Sequence, residues 1–246
     1  MRLGLTFAFV VALFVPGTIG TAEEAKPSCA DDAMLVFDAS GSMAATDFPD
    51  GAPSRFDRVR QALNKVVPSA AQSRRLGLIV YGPGRKSDTC QNVDLRLTPT
   101  PNAGDLILGE VEGLRPQGRT ALTASVRQAA EVLHHSVKPA VIVALTDGQD
   151  TCGGDACLLA RELKNQRPAI TVHVVGYRLT PMTAPSPTPF VERCLADETG
   201  GIFATAETAD ELASALAETL GCPAVTSLPP QIRARLAGHG RALTFR

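Results

Sequence analysis

Aromatic residues are scarce. There is no tryptophan, and two tyrosines with nine phenylalanines make up 4% of 246 residues. That leaves too little ring surface for a base-stacking nucleic-acid groove or an aromatic sugar platform. Excess charge is missing as well. Against 25 acidic residues stand 24 Lys and Arg, a net charge of −1, so no global field draws the chain to nucleic acid or an anionic membrane. Long apolar runs are confined to the N-terminus, where Leu3 to Val15 follows Arg2 and precedes Pro16-Gly17 and the small residues Gly20 and Ala22. This pattern reads as a secretory signal peptide over residues 1–22, cut after Ala22, which places the chain in the periplasm or outside the cell. An uncleaved anchor is the alternative, although the run is short for a bilayer.

What is present is a 44% apolar chain, enough for one good-sized core, and six cysteines, all in the exported portion. An even count in an oxidising compartment implies disulfides, with fifteen possible connectivities. Cys29 and Cys222 bracket the domain, Cys152 and Cys157 are close enough to close a small loop, and Cys90 and Cys194 remain for each other. A zinc cluster from Cys152, Cys157 and Cys194 is the sharper alternative, without a nearby His to complete it.

The stretch Ala33 to Ser42, AMLVFDASGS, carries the most chemistry. Met34 to Phe37 reads as a strand buried on both faces, running into Asp38, Ser40, Gly41 and Ser42. Gly41 permits a tight turn, so one carboxylate and two hydroxyls converge at the carboxyl end of a strand. Hard oxygens of this kind suit Mg²⁺, Mn²⁺ or Ca²⁺ rather than zinc. The plain alternative is an Asx turn that caps the next helix. Gly118-Arg119-Thr120 opens a helical pattern, and Ala140 to Thr146, AVIVALT, is a second buried strand ending in Asp147-Gly148.

DASGS, GRT and LTDG, in this order and spacing, resemble the von Willebrand factor type A (VWA) domain with its metal-ion-dependent adhesion site. The resemblance spans about Asp31 to Gly221. It implies that Asp38, Ser40, Ser42, Thr120 and Asp147 surround one divalent cation, and that an acidic residue of a partner protein completes the coordination shell.

The rest of the chain fits an alternation of helices and strands. Ser54 is set to cap a helix to about Val67, stopped by Pro68. Strands are expected at Arg75 to Tyr81, Val93 to Leu97, Ala169 to Val175 and Gly201 to Thr205. Helices are expected at Asn102 to Leu114, Thr120 to His135, Ala156 to Asn165, Val191 to Glu198 and Ala209 to Leu220. The four prolines of Thr180 to Pro189 mark a loop. Together these predict an α/β, Rossmann-like, doubly wound sheet, mostly parallel with one antiparallel edge strand and helices on both faces. The first strand and the AVIVALT strand should then be neighbours at the switch point, bringing Asp38 and Asp147 together. The domain layout is a signal peptide (1–22), a short linker (23–30), the VWA domain (31–221) and a basic tail (222–246).

Catalysis fits the residues poorly. His134 and His135 lie about four helical turns from the start of their helix, His173 sits in a buried strand, and only His239 remains, in the tail. No Gly-x-Ser-x-Gly elbow surrounds Ser40 or Ser42. A metal-dependent hydrolase lacks the second carboxylate it would need, because Ser40 stands in that place. The expected role is therefore binding a protein with an exposed acidic residue through Mg²⁺, Mn²⁺ or Ca²⁺. The competing reading is a scaffold whose metal only orders loops, with recognition by the Pro-rich loop or the basic tail. Ile232, Leu236 and Leu243 give that tail slight apolar character for a membrane contact. Asp47 and Asp150 read as solvated surface residues that could assist from the rim.

Overall fold

The apolar runs assemble into one six-stranded sheet of order β3-β2-β1-β4-β5-β6 in a computed structural model that describes residues 30–47, 52–84, 89–134, 138–179 and 190–221. The signal peptide, the Pro-rich loop, the basic tail and the Cys29 to Cys222 pairing fall outside the described residues. The strands are β1 (Asp32–Asp38), β2 (Arg75–Tyr81), β3 (Val93–Thr100), β4 (Ala140–Thr146), β5 (Ile170–Tyr177) and β6 (Phe203–Ala206). All pair in parallel except β2 with β3. The mostly parallel sheet with one antiparallel edge strand is therefore as expected.

Alternation along β1 explains why its residues are apolar without a break. Ala33, Leu35 and Phe37 enter one core, with α1 (Arg55–Ser73), α2 (Gly104–Glu112) and α6 (Ala209–Leu220). Met34 and Val36 enter the other, with α3 (Leu122–Leu133), α4 (Ala156–Lys164) and α5 (Arg193–Thr199). A strand covered on both faces cannot afford a polar side until it ends. The first core is locked where the Phe37 and Phe56 rings meet edge to face at 5.6 Å. Burying each such ring contributes about 1.5–3 kcal/mol. Arg60 lies over the Phe56 ring and donates to the carbonyls of Val111, Glu112 and Leu114, satisfying the end of α2.

Helix α1 departs from expectation. It begins with a capping box, the Ser54 hydroxyl accepting from the Asp57 amide and the Asp57 carboxylate accepting from Ser54, but it continues through Pro68 to Ser73. The cost of a proline inside a helix is one amide and a clash with the preceding turn. Here the buried stripe of Val66, Val67, Ala70 and Ala71 goes on past it, so packing outweighs that cost. Strand β3 likewise runs past Pro99, where its outer edge needs no amide donor.

Strands β1 and β4 are in register, Asp32 opposite Ala140 through Phe37 opposite Leu145. Chain order reverses between them, since β1 leads outward to β2 and β3 while β4 leads to β5 and β6. Asp38 and Asp147 thus leave the carboxyl ends of neighbouring strands at the switch point, where such sheets bind their ligands.

Candidate metal centre

The first loop is shaped by Asp38 itself. Its side chain has no exposure, and its Oδ1 accepts the Ser40 amide at 2.8 Å, closing an Asx turn. Its Oδ2 accepts the Thr146 hydroxyl at 2.9 Å and the Asp147 amide at 3.4 Å, tying the ends of β1 and β4. A 3-10 turn at Gly41–Ala44 follows, with Met43 buried as its plug. Ser40 is buried, Ser42 is exposed, and their hydroxyls are 3.1 Å apart.

The third loop meets the first through side chains. Asp147 Oδ1 accepts the Ser42 hydroxyl at 2.7 Å, and its Oδ2 accepts Arg55 Nη1 at 3.0 Å. Asp38, Ser40, Ser42 and Asp147 therefore form one connected set of oxygens. Thr120 joins them through the backbone. Its amide donates to the Thr151 hydroxyl and its carbonyl accepts the Thr151 amide, both at 2.9 Å, while the Gly41 amide donates to Gly118 O at 3.0 Å. The Thr120 side chain, nearly buried, takes no part in the hydrogen bonds that link the other four.

Two glycines allow the loops to touch. Gly118 has φ +80°, and a Cβ there would stand 2.3 Å from Gly82 O. Gly82 has φ +106°, and its Cβ would be 2.6 Å from Ala39 O. We expect Gly118→Ala to cost about 2 kcal/mol or more, from left-handed strain plus a backbone clash, and to displace Thr120. Equilibrium denaturation measures the cost; wild-type stability would show that the loops yield freely.

Asp150 is not a solvated rim residue. The residue before α3 is Ala121, which has no side chain to cap the helix, and the Asp150 carboxylate supplies the cap by accepting the Thr123 amide at 2.8 Å. It also accepts the Cys152 amide at 2.7 Å, and its own amide donates to Glu192 Oε1 at 2.6 Å. Burial raises the pKa of Glu192. Asp47 is also engaged, held by Arg55 at 2.7 and 2.6 Å and by Arg178 at 2.9 Å, and the adjacent Arg55 keeps its pKa below the ordinary value.

Disulfides join Cys90 to Cys152 and Cys157 to Cys194. The expected pairs Cys152 with Cys157 and Cys90 with Cys194 are thereby overturned, as is a thiolate zinc cluster. Cys157 and Cys194 stand in the first turns of adjacent helices, α4 and α5, which decides the pairing. No group of three or more His, Cys, Asp or Glu side chains gathers among the described residues; the loops instead offer two carboxylates and three hydroxyls. His134 ends α3 and His173 accepts the Ile202 amide from within β5, so neither faces Ser40 or Ser42.

Electrostatics single out Asp38. Burial first, and then the charge of Asp147, push its pKa up to about 6. The buried Tyr81 side chain lies beside Asp38, and burial first and then that charge raise its pKa too. Arg55 offsets part of the negative charge from the Asp147 side.

A doubly wound sheet with oxygen-bearing loops at its switch point defines a class of α/β binding domains. Residues 33–149 match the family model of the von Willebrand factor type A domain. It is 26% identical over 185 residues to the uncharacterized protein YwmC of Bacillus subtilis strain 168, covering 72% of this chain and 78% of that protein. An aerotolerance-related membrane protein from Bacteroides fragilis shares the fold, with a TM-score of 0.57, 22% identity and coverage of 77% of this chain and 98% of that one. Proximal thread matrix protein 1 of the mussel byssus, in a structure described as having a zinc-occupied metal-ion-dependent adhesion site, has a TM-score of 0.55 at 16% identity, covering 77% and 44% of the two chains.

Proposed function

We propose that this is an exported VWA domain that binds a partner protein through a divalent cation. The observation that carries the reading is the pairing of two buried carboxylates at a strand-end crevice, Asp38 accepting the Asp147 amide, with the exposed Ser42 hydroxyl donating to Asp147 and meeting the Ser40 hydroxyl. Adjacent buried negative charges are costly without a cation, and the single guanidinium of Arg55 touches only one of them. Hydroxyl and carboxylate oxygens are the donors that Mg²⁺, Mn²⁺ and Ca²⁺ prefer. Ser40, Ser42, Thr120, Asp147 and Asp38 would hold the ion, the two carboxylates directly or through water. Bound there, a divalent ion supplies an electrophilic position for an outside carboxylate, which makes an acidic residue of a partner the matching ligand. The mussel protein, described with zinc in its metal-ion-dependent adhesion site, supports a divalent ion at the corresponding end of this fold without deciding which. Two disulfides among the described residues suit an oxidising compartment, and no described helix is long and apolar enough to cross a membrane.

Thermal melting of the oxidised chain, chelated and then titrated with Mg²⁺, Mn²⁺ or Ca²⁺, tests the site. An ion that binds the folded state alone stabilises it by about 2.7 kcal/mol at a hundred times its Kd. Ser42→Ala takes a donor from the buried Asp147 carboxylate, so its metal-free form should melt somewhat lower, and it should abolish most of that rise, together with metal-dependent retention of the chain on an immobilised acidic peptide. An undiminished rise in Ser42→Ala would remove Ser42 from the site.

A further inference from the structure

Arg55 is the first residue of α1, where a positive charge works against the helix dipole. Nothing about the helix asks for a cation there, since the capping box is made by Ser54 and Asp57. Its surroundings do. The Arg55 amide donates to Ala45 O at 2.9 Å, fixing the residue against the segment that leaves the first loop. Nε and Nη2 grip Asp47 bidentately, at 2.7 and 2.6 Å, and Nη1 is thereby aimed at Asp147 Oδ2, 3.0 Å away. The Arg55 side chain is 12% exposed and that of Asp147 0%, so water screens this pair poorly.

We infer that Arg55 is the resident counter-cation of Asp147, holding the third-loop carboxylate in the metal-free protein and lowering the affinity of the site for a divalent ion by competing for that carboxylate. The inference rests on the metal reading above. Two cations cannot share one carboxylate without mutual repulsion. The site would therefore be tuned to give up its ion more readily than its five oxygens alone would dictate. Asp47 sets the balance, because each hydrogen bond it draws from Arg55 leaves less of the guanidinium charge for Asp147.

The test is metal titration, by calorimetry and by melting, of the full oxidised chain and of three variants. Arg55→Gln should bind Mg²⁺, Mn²⁺ or Ca²⁺ about tenfold more tightly than wild type, the scale on which one adjacent charge acts. Its metal-free form should melt at a lower temperature, because Asp147 loses its partner. Opposite signs in these two readouts distinguish charge competition from a structural role, which would lower both. Arg55→Lys keeps the charge without the two-carboxylate grip and should fall between wild type and Arg55→Gln; a rise equal to that of Arg55→Gln would overturn the inference. Asp47→Asn leaves Arg55 to Asp147 and should weaken binding about tenfold, and it carries the test should Arg55→Gln fail to fold. Binding by Arg55→Gln that is equal to or weaker than wild type overturns the role of Arg55 and leaves the metal reading standing. Binding by the variant but not by wild type would be the strongest support; no binding by either overturns both.

Discussion

Asp38→Asn is expected to melt higher than wild type in chelator at pH 7.5 and to lose the response to divalent ions altogether. In the folded metal-free chain the Asp38 pKa is pushed up to about 6 from 3.8, by burial and by Asp147. A folded-state value above the unfolded one means that this group favours folding fully below about pH 3.8, and that the contribution is lost as the pH rises through about 6. Ionised Asp38 then disfavours the folded state by about 3 kcal/mol relative to its neutral form, at 1.36 kcal/mol per pKa unit. Asparagine is neutral at every pH and keeps the bond from the Ser40 amide. It gives up one acceptor facing Thr146 and Asp147, a loss of about 1 kcal/mol. The net gain of about 2 kcal/mol corresponds to about 4–8 °C in a domain of this size.

His173 supplies the internal control. Burial, with a smaller part from Arg74, depresses its pKa to about 4, so the neutral ring favours folding above its unfolded value of 6.5 and that contribution fades as the pH falls through about 4. Between those limits Asp38 and His173 act with opposite signs, and metal-free wild type should show a flat stability profile from pH 6.5 to 4. Asp38→Asn should instead lose stability steadily over the same window. Saturating metal should reproduce that slope in wild type by holding Asp38 ionised. A flat profile in Asp38→Asn would mean that Asp38 is not the group that titrates.

Much of this arrangement can be read in the sequence because it depends on local pattern. Arg75–Tyr81, Ala140–Thr146 and Ala209–Leu220 form where the apolar periodicity and caps place them. The order of DASGS, GRT and LTDG along the chain is enough to converge three loops once β1 and β4 are neighbours. What escapes the pattern is what depends on distant partners. Arg55 looks like an ordinary first-turn residue, and its role comes from Asp147, 92 residues away. Thr146 reads as the last residue of a buried strand, yet its hydroxyl holds Asp38, 108 residues earlier. Asp150 and Asp47 look exposed because acidic residues in loops usually are; the amides and guanidiniums that engage them come from other elements. Pro68 illustrates the same rule in reverse, a strong local stop signal outweighed by a buried stripe on both sides of it.

The second large effect concerns the disulfides, where connectivity has consequences beyond stability. Cys90–Cys152 spans 62 residues and Cys157–Cys194 spans 37, so each closes a long loop of the unfolded chain. The loop-entropy relation gives about 4 kcal/mol for either, a melting shift of about 8–16 °C. Stability alone would not separate the two bonds, but their anchors do. Cys152 follows Thr151, whose amide and hydroxyl hold both backbone groups of Thr120. Removing Cys90–Cys152 by paired serine substitutions should therefore lower the melting temperature and also weaken divalent-ion binding, because the segment carrying Thr151, which fastens the Thr120 loop, loses its tether to the connection between β2 and β3. Removing Cys157–Cys194 frees the first turns of α4 and α5, while Asp150 still takes the Thr123 and Cys152 amides. That variant should lose comparable stability and keep its metal response. Metal titration of the two double variants, each well below its own melting temperature, decides the matter. Equal loss of binding in both would mean that the loops depend on overall rigidity, and unchanged binding without Cys90–Cys152 would mean that the Thr120–Thr151 hydrogen bonds suffice to hold the site.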